Sequence, residues 1–207
     1  MKYLFGVPYY KYNVKTPQSI IDDIQHNYDI DSSRNSWDNN SYLNSKTHHN
    51  NKDIGNPKFK DINYKPIMSE YKKVFDTFTK ELDLNCQYKW SIVNYTAMKS
   101  QQYMRAHDHI GDSDYTCIHY VKFNFKKHST TAFYNSHHWA NSIKYIRPNY
   151  YNKLDIHDEK HSYQLPYFQI KVKQDDMLIT PSCLVHEVPP FESDELRVTI
   201  VINLSIK

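Results

Sequence analysis

The 207-residue sequence predicts a mainly β fold of the α+β class: a double-stranded β-helix (jelly roll) with N-terminal helices packed on one sheet. Two observations support this prediction. Residues 1–84 contain two segments whose apolar residues recur with helical spacing, and residues 85–207 contain short segments rich in β-branched and aromatic residues. We therefore predict a single domain, 1–207, with a helical and loop part at 1–84 and a jelly-roll core at 85–207.

Two helices are expected in the first part, after an edge-like extended segment at Tyr3–Tyr12. Thr16-Pro17 is a suitable N-cap for the first helix. Pro66 opens the second helix, and the polar segment 29–63 between the two predicts an irregular surface loop. The apolar faces consist of Ile20, Ile21 and Ile24 in the first helix, and of Ile67, Tyr71, Val74, Phe75, Phe78 and Leu82 in the second.

Six later segments have the composition of strands, and turn-forming residues separate many of them. They are YKWSIVNYTAM (88–98), YTCIHYVKFNF (115–125), YFQIKVKQ (167–174), DMLITP (176–181), CLVHEV (183–188) and LRVTIVINLSI (196–206). A long aromatic-rich insertion, 135–163, interrupts them. Because loops on a rigid scaffold usually set the specificity of a binding site, we expect segments 29–63 and 135–163 to act as lids over such a site.

The composition argues against several classes of protein. The net charge of +3 comes from interleaved Lys and Asp, which gives no electrostatic reason to expect nucleic-acid binding. The mean hydropathy is −0.81, and no apolar run approaches the ~20 residues needed to cross a bilayer. The three cysteines, Cys86, Cys117 and Cys183, form no CxxC pair, which predicts reduced, buried thiols. We therefore expect a cytoplasmic protein (in the host cytoplasm if the protein is viral) without a membrane partner.

Three potential metal ligands stand side by side in the stretch MRAHDHIGDSDYT, residues 104–116. Because successive residues of a strand point to opposite faces, His107 and His109 share one face and Asp108 takes the other. Two imidazoles at this spacing can hold one metal ion, and Asp108 can orient an imidazole from outside the coordination sphere. A chance pair of surface histidines has the same pattern, so H-x-H alone leaves both interpretations open.

A second group of candidate residues lies in DMLITPSCLVHEVPPFESDELRVTIVINL. His186 is in a strand-like run, and Arg197 and Thr199 form an R-x-T pair inside an apolar strand. An arginine in such a strand needs a partner, because an unpaired buried charge is costly. Arg197 can pair with Glu192 or Glu195, or lie on an exposed strand face. Alternatively, its guanidinium can bind a ligand carboxylate, with the Thr199 hydroxyl adding a second hydrogen bond.

The other nine of the twelve histidines are expected in ordinary structural or surface positions. His119 is predicted to be a hydrogen-bonded residue in the middle of a strand. His137 and His138, beside Trp139, are predicted in a solvated loop. The remaining six have polar surroundings that predict surface exposure: His26, His48, His49, His128, His157 and His161.

The order H-x-H, a strand histidine about 80 residues later, and then R-x-T resembles the Fe(II)/2-oxoglutarate-dependent oxygenases. More specifically, it resembles their small prolyl-4-hydroxylase-like members, common in tailed phages and marine bacteria. The likeness covers residues 90–205. WSIVNYTAMKSQQYMRAHDH is similar to the segment with their first metal ligands, YTCIHYV to the strand that follows, DMLITPSCLVHEV to the strand with the last histidine, and LRVTIVINL to the co-substrate strand.

The resemblance implies a role for each matching residue. His107, His109 and His186 would bind Fe(II). Arg197 would pair with the distal carboxylate of 2-oxoglutarate, assisted by Thr199. Two tyrosines would also contact this co-substrate or its surroundings: Tyr120 and Tyr95.

The reaction that the resemblance implies is hydroxylation of an unactivated C–H bond, coupled to conversion of 2-oxoglutarate and O2 into succinate and CO2. Its substrate would be a peptidyl proline or another protein side chain, and ascorbate is a candidate further cofactor. The sequence departs from the family pattern at His109, where the usual ligand is a carboxylate. We favour a three-histidine site, although a local bulge that turns Asp108 inward in place of His109 is an open alternative.

Two other classes of function remain open at this point. One is a cupin-like metal protein with three histidine ligands that does not use 2-oxoglutarate. The other is a non-catalytic jelly-roll protein with a structural or interaction role. The orientation of Arg197 discriminates the first from the oxygenase, because only the oxygenase needs a guanidinium that faces a ligand.

Overall fold

The computed structural model describes residues 2–4, 6–30, 47–48, 58, 60–83 and 86–207, and in these ranges the strands form two antiparallel sheets. The larger sheet has seven strands in the order β1-β2-β9-β6-β11-β4-β3. They are β1 (Lys2–Leu4), β2 (Val7–Asn13), β3 (Thr47–His48), β4 (Tyr88–Met98), β6 (Tyr115–Lys122), β9 (Asp176–Pro181) and β11 (Arg197–Ile206). The smaller sheet has the order β5-β10-β7-β8: β5 (Met104–His107), β7 (Ala132–Tyr134), β8 (Tyr167–Gln169) and β10 (His186–Val188).

The helices occupy two regions of the chain. Helix α1 (Gln18–Ile30) and helix α2 (Lys65–Glu81) precede β4. Helix α3 (His138–Ile146), helix α4 (Pro148–Tyr151) and a 3-10 helix (Glu159–Gln164) lie in the insertion between β7 and β8. No described helix has both the length and the apolar character needed to span a bilayer.

One hydrophobic core lies between the larger sheet and helices α1 and α2. The buried face of α2 supplies Ile67, Tyr71, Phe75 and Phe78, all with no exposed surface, and that of α1 supplies Ile20 and Ile24. Both sets match the predicted helical stripes, because residues three and four apart share one face of a helix. A second core joins the two sheets and includes side chains from β1, β2, β6, β7, β8 and β9. The prediction of a jelly roll with helices packed on one sheet is therefore confirmed.

Strand β11 shows how the two faces of the larger sheet are assigned. Every second side chain, at Val198, Ile200, Ile202 and Leu204, belongs to the helix-side core. The alternate residues Arg197, Thr199 and Val201 therefore face the smaller sheet, since the side-chain period of a strand is two. An apolar strand can thus hold a buried arginine, because only one of its faces contributes to the helix-side core.

Several predicted strand boundaries are wrong. Residues 123–125 lie outside β6 and lead into a turn, in which the Asn124 carbonyl accepts from the amides of Lys127 and His128, at 3.0 and 2.8 Å. Residues 170–174 and 183–185 also lie outside strands. Conversely, β7 is absent from the predicted strands, because a strand of three residues is too short to show an alternating pattern. The strand expected around His107 and His109 is present only as β5, which ends at His107.

The predicted loop 29–63 lies mostly outside the described residues. Its described part includes β3, which pairs with β4 through Thr47 and Thr96.

The predicted cap of the first helix is also different. Thr16 donates through its amide and its hydroxyl to the Asp175 carboxylate, at 3.0 and 2.9 Å, and α1 starts after Pro17. Thr16 thus ties the start of the helix to the turn before β9.

The prediction that the three cysteines are reduced and buried is confirmed only in part. All three thiols are free. Cys117 is buried on β6, but Cys86 is half-buried and Cys183 is exposed in the turn before β10. The prediction that all three are buried is therefore wrong at Cys183.

His119 is the hydrogen-bonded strand residue that the sequence predicts. It lies on the helix face of β6 with no exposed surface. The Tyr71 hydroxyl is 2.8 Å from its Nδ1 atom, and its Nε2 atom is 2.8 Å from the Val14 carbonyl. This geometry fits a neutral ring that donates to Val14 and accepts from Tyr71, because a carbonyl only accepts hydrogen bonds. Burial lowers the pKa of His119 to about 4, which favours the same neutral form.

Replacing His119 by Gln should reduce the pH dependence of the free energy of unfolding. The pKa of this histidine is about 4 in the folded state and 6.5 for an unperturbed histidine, so the unfolded state binds more protons between these two values. The stabilising contribution of the neutral ring is therefore complete above pH 6.5 and is lost as the pH falls toward 4. Urea unfolding of H119Q should show a smaller loss of stability between pH 7 and pH 5 than the parent protein.

The matched control is H26Q, which removes an exposed histidine from α1 and should follow the parent protein. An unchanged pH dependence in H119Q would show that His119 does not need to be neutral for folding.

Candidate metal centre and co-substrate cavity

The pairing of β5 with β10 brings two of the three predicted ligands together. His107, the last residue of β5, is the direct cross-strand partner of His186, the first residue of β10. Directly opposed residues of an antiparallel pair have neighbouring side chains on one face. The centroids of these two imidazole rings are accordingly 4.3 Å apart.

His109 reaches the same place from a turn rather than from a strand. Its amide donates to the Ser182 carbonyl at 2.9 Å, which fixes the turn against the segment before β10. Gly111 completes the turn with a φ of +91°, a conformation that glycine adopts without strain. The ring centroid of His109 is 5.2 Å from that of His107 and 5.4 Å from that of His186. The prediction that His107 and His109 share one strand is therefore wrong, although both rings point to the same site.

The three imidazoles form a group with the spacing of metal ligands. One ring nitrogen from each of His107, His109 and His186 lies within 4.8 Å of the others. Asp108 is not part of this group. Its side chain is exposed, and its Oδ1 atom accepts from the Ile110 amide at 3.0 Å. The alternative in which Asp108 turns inward in place of His109 does not match this arrangement.

Backbone carbonyls fix the orientation of two of the rings. The Nδ1 atom of His107 is 2.8 Å from the Arg105 carbonyl, and that of His186 is 2.8 Å from the Leu184 carbonyl. Because a carbonyl only accepts, Nδ1 carries the proton in both rings, and Nε2 keeps a lone pair. On the third ring, the Nδ1 atom of His109 lies 3.9 Å from the Asp112 carboxylate. Such outer partners orient metal-binding histidines.

Burial keeps the rings neutral near pH 7, the form in which histidine binds metals. Desolvation lowers the pKa of His186 to about 3 and that of His107 to about 4, and it also lowers the pKa of His109. In His186, repulsion from the neighbouring imidazole of His107 lowers the pKa further.

Arg197 lies at the start of β11 with no exposed surface. Its Nε atom donates to the Ser129 carbonyl at 3.0 Å, and its Nη1 atom is 4.0 Å from the Met98 sulfur. Its guanidinium carbon lies 5.5 Å from the ring centroid of Tyr120 and 5.9 Å from that of Phe123. These contacts hold the guanidinium in place without neutralising its charge.

No carboxylate of the described residues forms an ion pair with Arg197. Glu195, one of its candidate partners, pairs with Lys127 instead. The Nη2 atom of Arg197 is buried and has no hydrogen-bond partner in the part of the chain that the structure describes. Desolvation lowers the pKa of Arg197, which expresses the cost of keeping this charge away from water.

The three histidines and Arg197 line a single cavity of about 210 Å³ between the two sheets. Thr199 lines it as well. Two further buried polar atoms of its wall have no hydrogen-bond partner among the described residues, namely Asn94 Oδ1 and Thr96 Oγ1. Buried polar atoms normally have partners, so these atoms indicate space for a polar ligand.

The two predicted tyrosines are buried but do not line the cavity. Tyr120 donates its hydroxyl hydrogen bond to Thr131 Oγ1 at 2.8 Å, and Thr131 is the residue that lines the wall. Tyr95 faces the helix-side core, where its hydroxyl accepts from the Asn27 amide at 3.2 Å. The prediction of a co-substrate contact by Tyr95 is therefore corrected, because the strand period of two places Asn94 and Thr96 on the cavity face instead.

His128 was predicted on the surface but is buried. Its ring packs between Phe123 and Phe191, with centroid distances of 5.5 and 5.2 Å. Its Nδ1 atom accepts from the Asn124 amide at 3.1 Å. Desolvation and then the nearby Arg197 charge lower its pKa to about 4. No local pattern in the sequence reveals this position, because the turn at 123–128 looks like a polar loop.

The fold is similar to those of several proteins of known structure. Among 137 matching chains of known structure are a Pseudomonas putida prolyl-4-hydroxylase and HygX from Streptomyces hygroscopicus, solved with nickel, 2-oxoglutarate and hygromycin B. The prolyl-4-hydroxylase has a TM-score of 0.54 and 8% identity, with 97% of this chain and 94% of that chain covered. HygX has a TM-score of 0.51 and 8% identity, with 96% and 83% covered.

A third match is an oxidoreductase of the 2OG-Fe(II) oxygenase family from Burkholderia pseudomallei, with a TM-score of 0.42 and 10% identity. It covers 67% of this chain and 59% of that chain, so the chain spans less than two thirds of this protein's length. Identities this low show the fold alone. No curated protein sequence matches the chain.

The sequence also matches a family model, described as "Putative 2OG-Fe(II) oxygenase", over residues 90–203. This match covers more than half of the chain and contains the three clustered histidines and Arg197. The chain belongs to the 2OG-Fe(II) oxygenase family, enzymes named for their metal and for 2-oxoglutarate.

Proposed function

We propose that His107, His109 and His186 hold Fe(II) through their Nε2 atoms in this oxygenase. Three neutral imidazoles whose donor atoms lie within 4.8 Å of one another fit a divalent transition metal. The carbonyls of Arg105 and Leu184 orient two of these rings before any metal arrives. Three protein ligands leave further coordination positions for 2-oxoglutarate and O2.

We propose that Arg197 binds the distal carboxylate of 2-oxoglutarate and that Thr199 adds a hydrogen bond from the same strand face. The observation that carries this proposal is the unpartnered Nη2 atom of Arg197, which is buried at a cavity that the three histidines also line. A carboxylate would neutralise the charge and accept charge-assisted hydrogen bonds. Tyr120 acts indirectly, because its ring contacts the guanidinium and its hydroxyl holds Thr131.

The proposed reaction is hydroxylation of an unactivated C–H bond. When bound, Fe(II) and 2-oxoglutarate would supply the oxidising power. O2 and 2-oxoglutarate are consumed, succinate and CO2 are released, and one oxygen atom of O2 becomes the new hydroxyl group. Arg197 and Thr199 orient the distal carboxylate of the co-substrate at the buried end of a cavity between the two sheets, which limits the access of water. Ascorbate is a candidate further cofactor.

The proposed substrate is a peptide or protein side chain, with peptidyl proline as one candidate. The insertion 135–163, which folds into α3, α4 and the 3-10 helix between β7 and β8, is the proposed lid. The likeness to a prolyl-4-hydroxylase supports the fold only, because the identity is 8%. A metal protein that does not use 2-oxoglutarate is disfavoured, because Arg197 lines the same cavity as the histidines.

Anaerobic reconstitution with Fe(II), followed by exposure to O2 in the presence of 2-oxoglutarate, should yield succinate. Omission of Fe(II) should abolish succinate formation, since the metal is needed for the oxidation. Mass spectrometry of succinate provides the measurement. A reconstituted, folded protein that never forms succinate, with or without peptide candidates, would contradict the proposed activity.

Replacing His186 by Ala should abolish binding of Fe(II) or Ni(II) at the centre. His186 is the ligand directly paired with His107, and the remaining two imidazoles cannot replace its donor atom. Equilibrium dialysis under anaerobic conditions gives the metal content, and circular dichroism checks the fold. His26→Ala, at an exposed position on α1, is the matched control and should retain the metal. Full metal binding by H186A would refute the three-histidine centre.

Replacing Arg197 by Lys should raise the 2-oxoglutarate concentration needed for half-maximal succinate formation by about 10- to 100-fold. The lysine keeps the charge but loses the two-pronged hydrogen bonding to a carboxylate, a loss of roughly 1.5–3 kcal/mol. Metal binding should remain, because Arg197 is not a ligand. Arg147→Lys, at an exposed position before α4, is the matched control. An unchanged 2-oxoglutarate requirement in R197K would exclude Arg197 as the carboxylate partner.

A further inference from the structure

We propose that the primary substrate carries a cationic group, an amine or a guanidinium, close to the carbon that is hydroxylated. This inference rests on the proposed function and narrows its substrate class. Among the side chains of a peptide, it favours lysine or arginine over proline. Three features of the cavity support it: the sign of the charges at its mouth, the charge balance of the loaded site, and an unpartnered acceptor on its wall.

The two ends of the cavity have charges of opposite sign. Arg197 is fully buried at one end and is the only lysine or arginine among the described lining residues. Asp108 and Asp112 line the exposed end, and the Asp112 side chain is 66% exposed. A cleft lined by one sign of charge raises the local concentration of ligands of the opposite sign. A dianionic co-substrate therefore fits the buried end, and a cation fits the mouth.

The charge balance of the loaded site also favours a cation. Three neutral histidines contribute no charge, unlike a ligand set that includes a carboxylate. The two positive charges of Fe(II) would balance the two negative charges of 2-oxoglutarate, so among the lining residues Arg197 stands against Asp108 and Asp112. Arg105, whose positive charge also acts on His107, is exposed and does not line the cavity. The lining therefore carries one negative charge in excess, and a cationic substrate would neutralise it.

Asn94 provides the independent observation. Its side chain is 8% exposed and lines the cavity, and its Oδ1 atom has no hydrogen-bond partner among the described residues. Asn94 pairs with Val201 and Met98 pairs with Arg197, so four strand positions, about 13 Å, separate the two backbone sites. The buried acceptor therefore lies apart from the backbone of Arg197 and calls for a donor from a ligand. Ammonium and guanidinium groups carry only donors, so they match the unpaired acceptor Asn94 Oδ1.

The test measures binding without turnover. The protein is loaded with Ni(II) and 2-oxoglutarate, and titration calorimetry follows the binding of peptides Gly-Ser-Gly-X-Gly-Ser-Gly in which X is Lys, norleucine or Glu. We expect the Lys peptide to bind at least tenfold tighter than the other two, with a preference that decreases as NaCl is added, because salt screens exposed charges. Asp108→Asn, Asp112→Asn and Asn94→Leu should each reduce the ratio of Lys to norleucine affinities.

Because the Lys and norleucine peptides are compared on the same variant, the ratio of their affinities does not depend on how much of that variant is folded and loaded with metal. Asp22→Asn, an exposed position on α1, is the matched control and should leave the ratio unchanged. Equal binding of the Lys and norleucine peptides, tighter binding of the Glu peptide, or no binding of any peptide would overturn the inference. These outcomes leave the proposed function standing if 2-oxoglutarate itself binds to the Ni(II)-loaded protein and binds more weakly to R197K. Failure of 2-oxoglutarate to bind would overturn the proposed function instead.

Discussion

The guanidinium of Arg197 lies between two sheets without exposed surface and without a carboxylate partner among the described residues. Burial of an unpaired charge costs several kcal/mol, and a protein rarely keeps such a charge without a use for it. The Ser129 carbonyl and the Tyr120 ring hold the group in one orientation, but neither neutralises it. The two sheets thus present this charge to the cavity that the three clustered histidines also line.

Two simple properties of antiparallel strands place these side chains around the cavity. Alternation along β11 separates the apolar residues of the helix-side core from Arg197 and Thr199 on the cavity face. Direct pairing of β5 with β10 places His107 against His186. The helices stiffen the larger sheet from behind, and the buried ring of His119 connects β6 to α2 through Tyr71. The cavity can therefore keep unpartnered polar atoms, because packing elsewhere stabilises the strands that carry them.

The sequence predicts the fold class, both N-terminal helices and most strands of the larger sheet, because these elements are long enough to show a period. It does not predict β7 or the end of β5 at His107, because these short strands depend on pairing with distant strands rather than on local pattern. His107, His109 and His186 come together as expected, but His109 does so through the turn closed by Gly111. The co-substrate contact that the resemblance implies for Tyr95 is absent, because neighbouring residues of β4 point to opposite faces and Tyr95 points away from the cavity.

The proposed three-histidine ligand set changes where negative charge would act on the metal. A carboxylate ligand would bring negative charge to the metal directly, whereas His109 brings none. The structure instead places carboxylates one layer outward, with Asp112 3.9 Å from the Nδ1 atom of His109 and Asp108 on the neighbouring turn. Charge at that distance would still act on a metal held by the three histidines, and it would also face whatever enters the cavity. In the proposed centre, negative charge at the mouth rather than in the coordination sphere would therefore link the electrostatics of the metal to the choice of substrate.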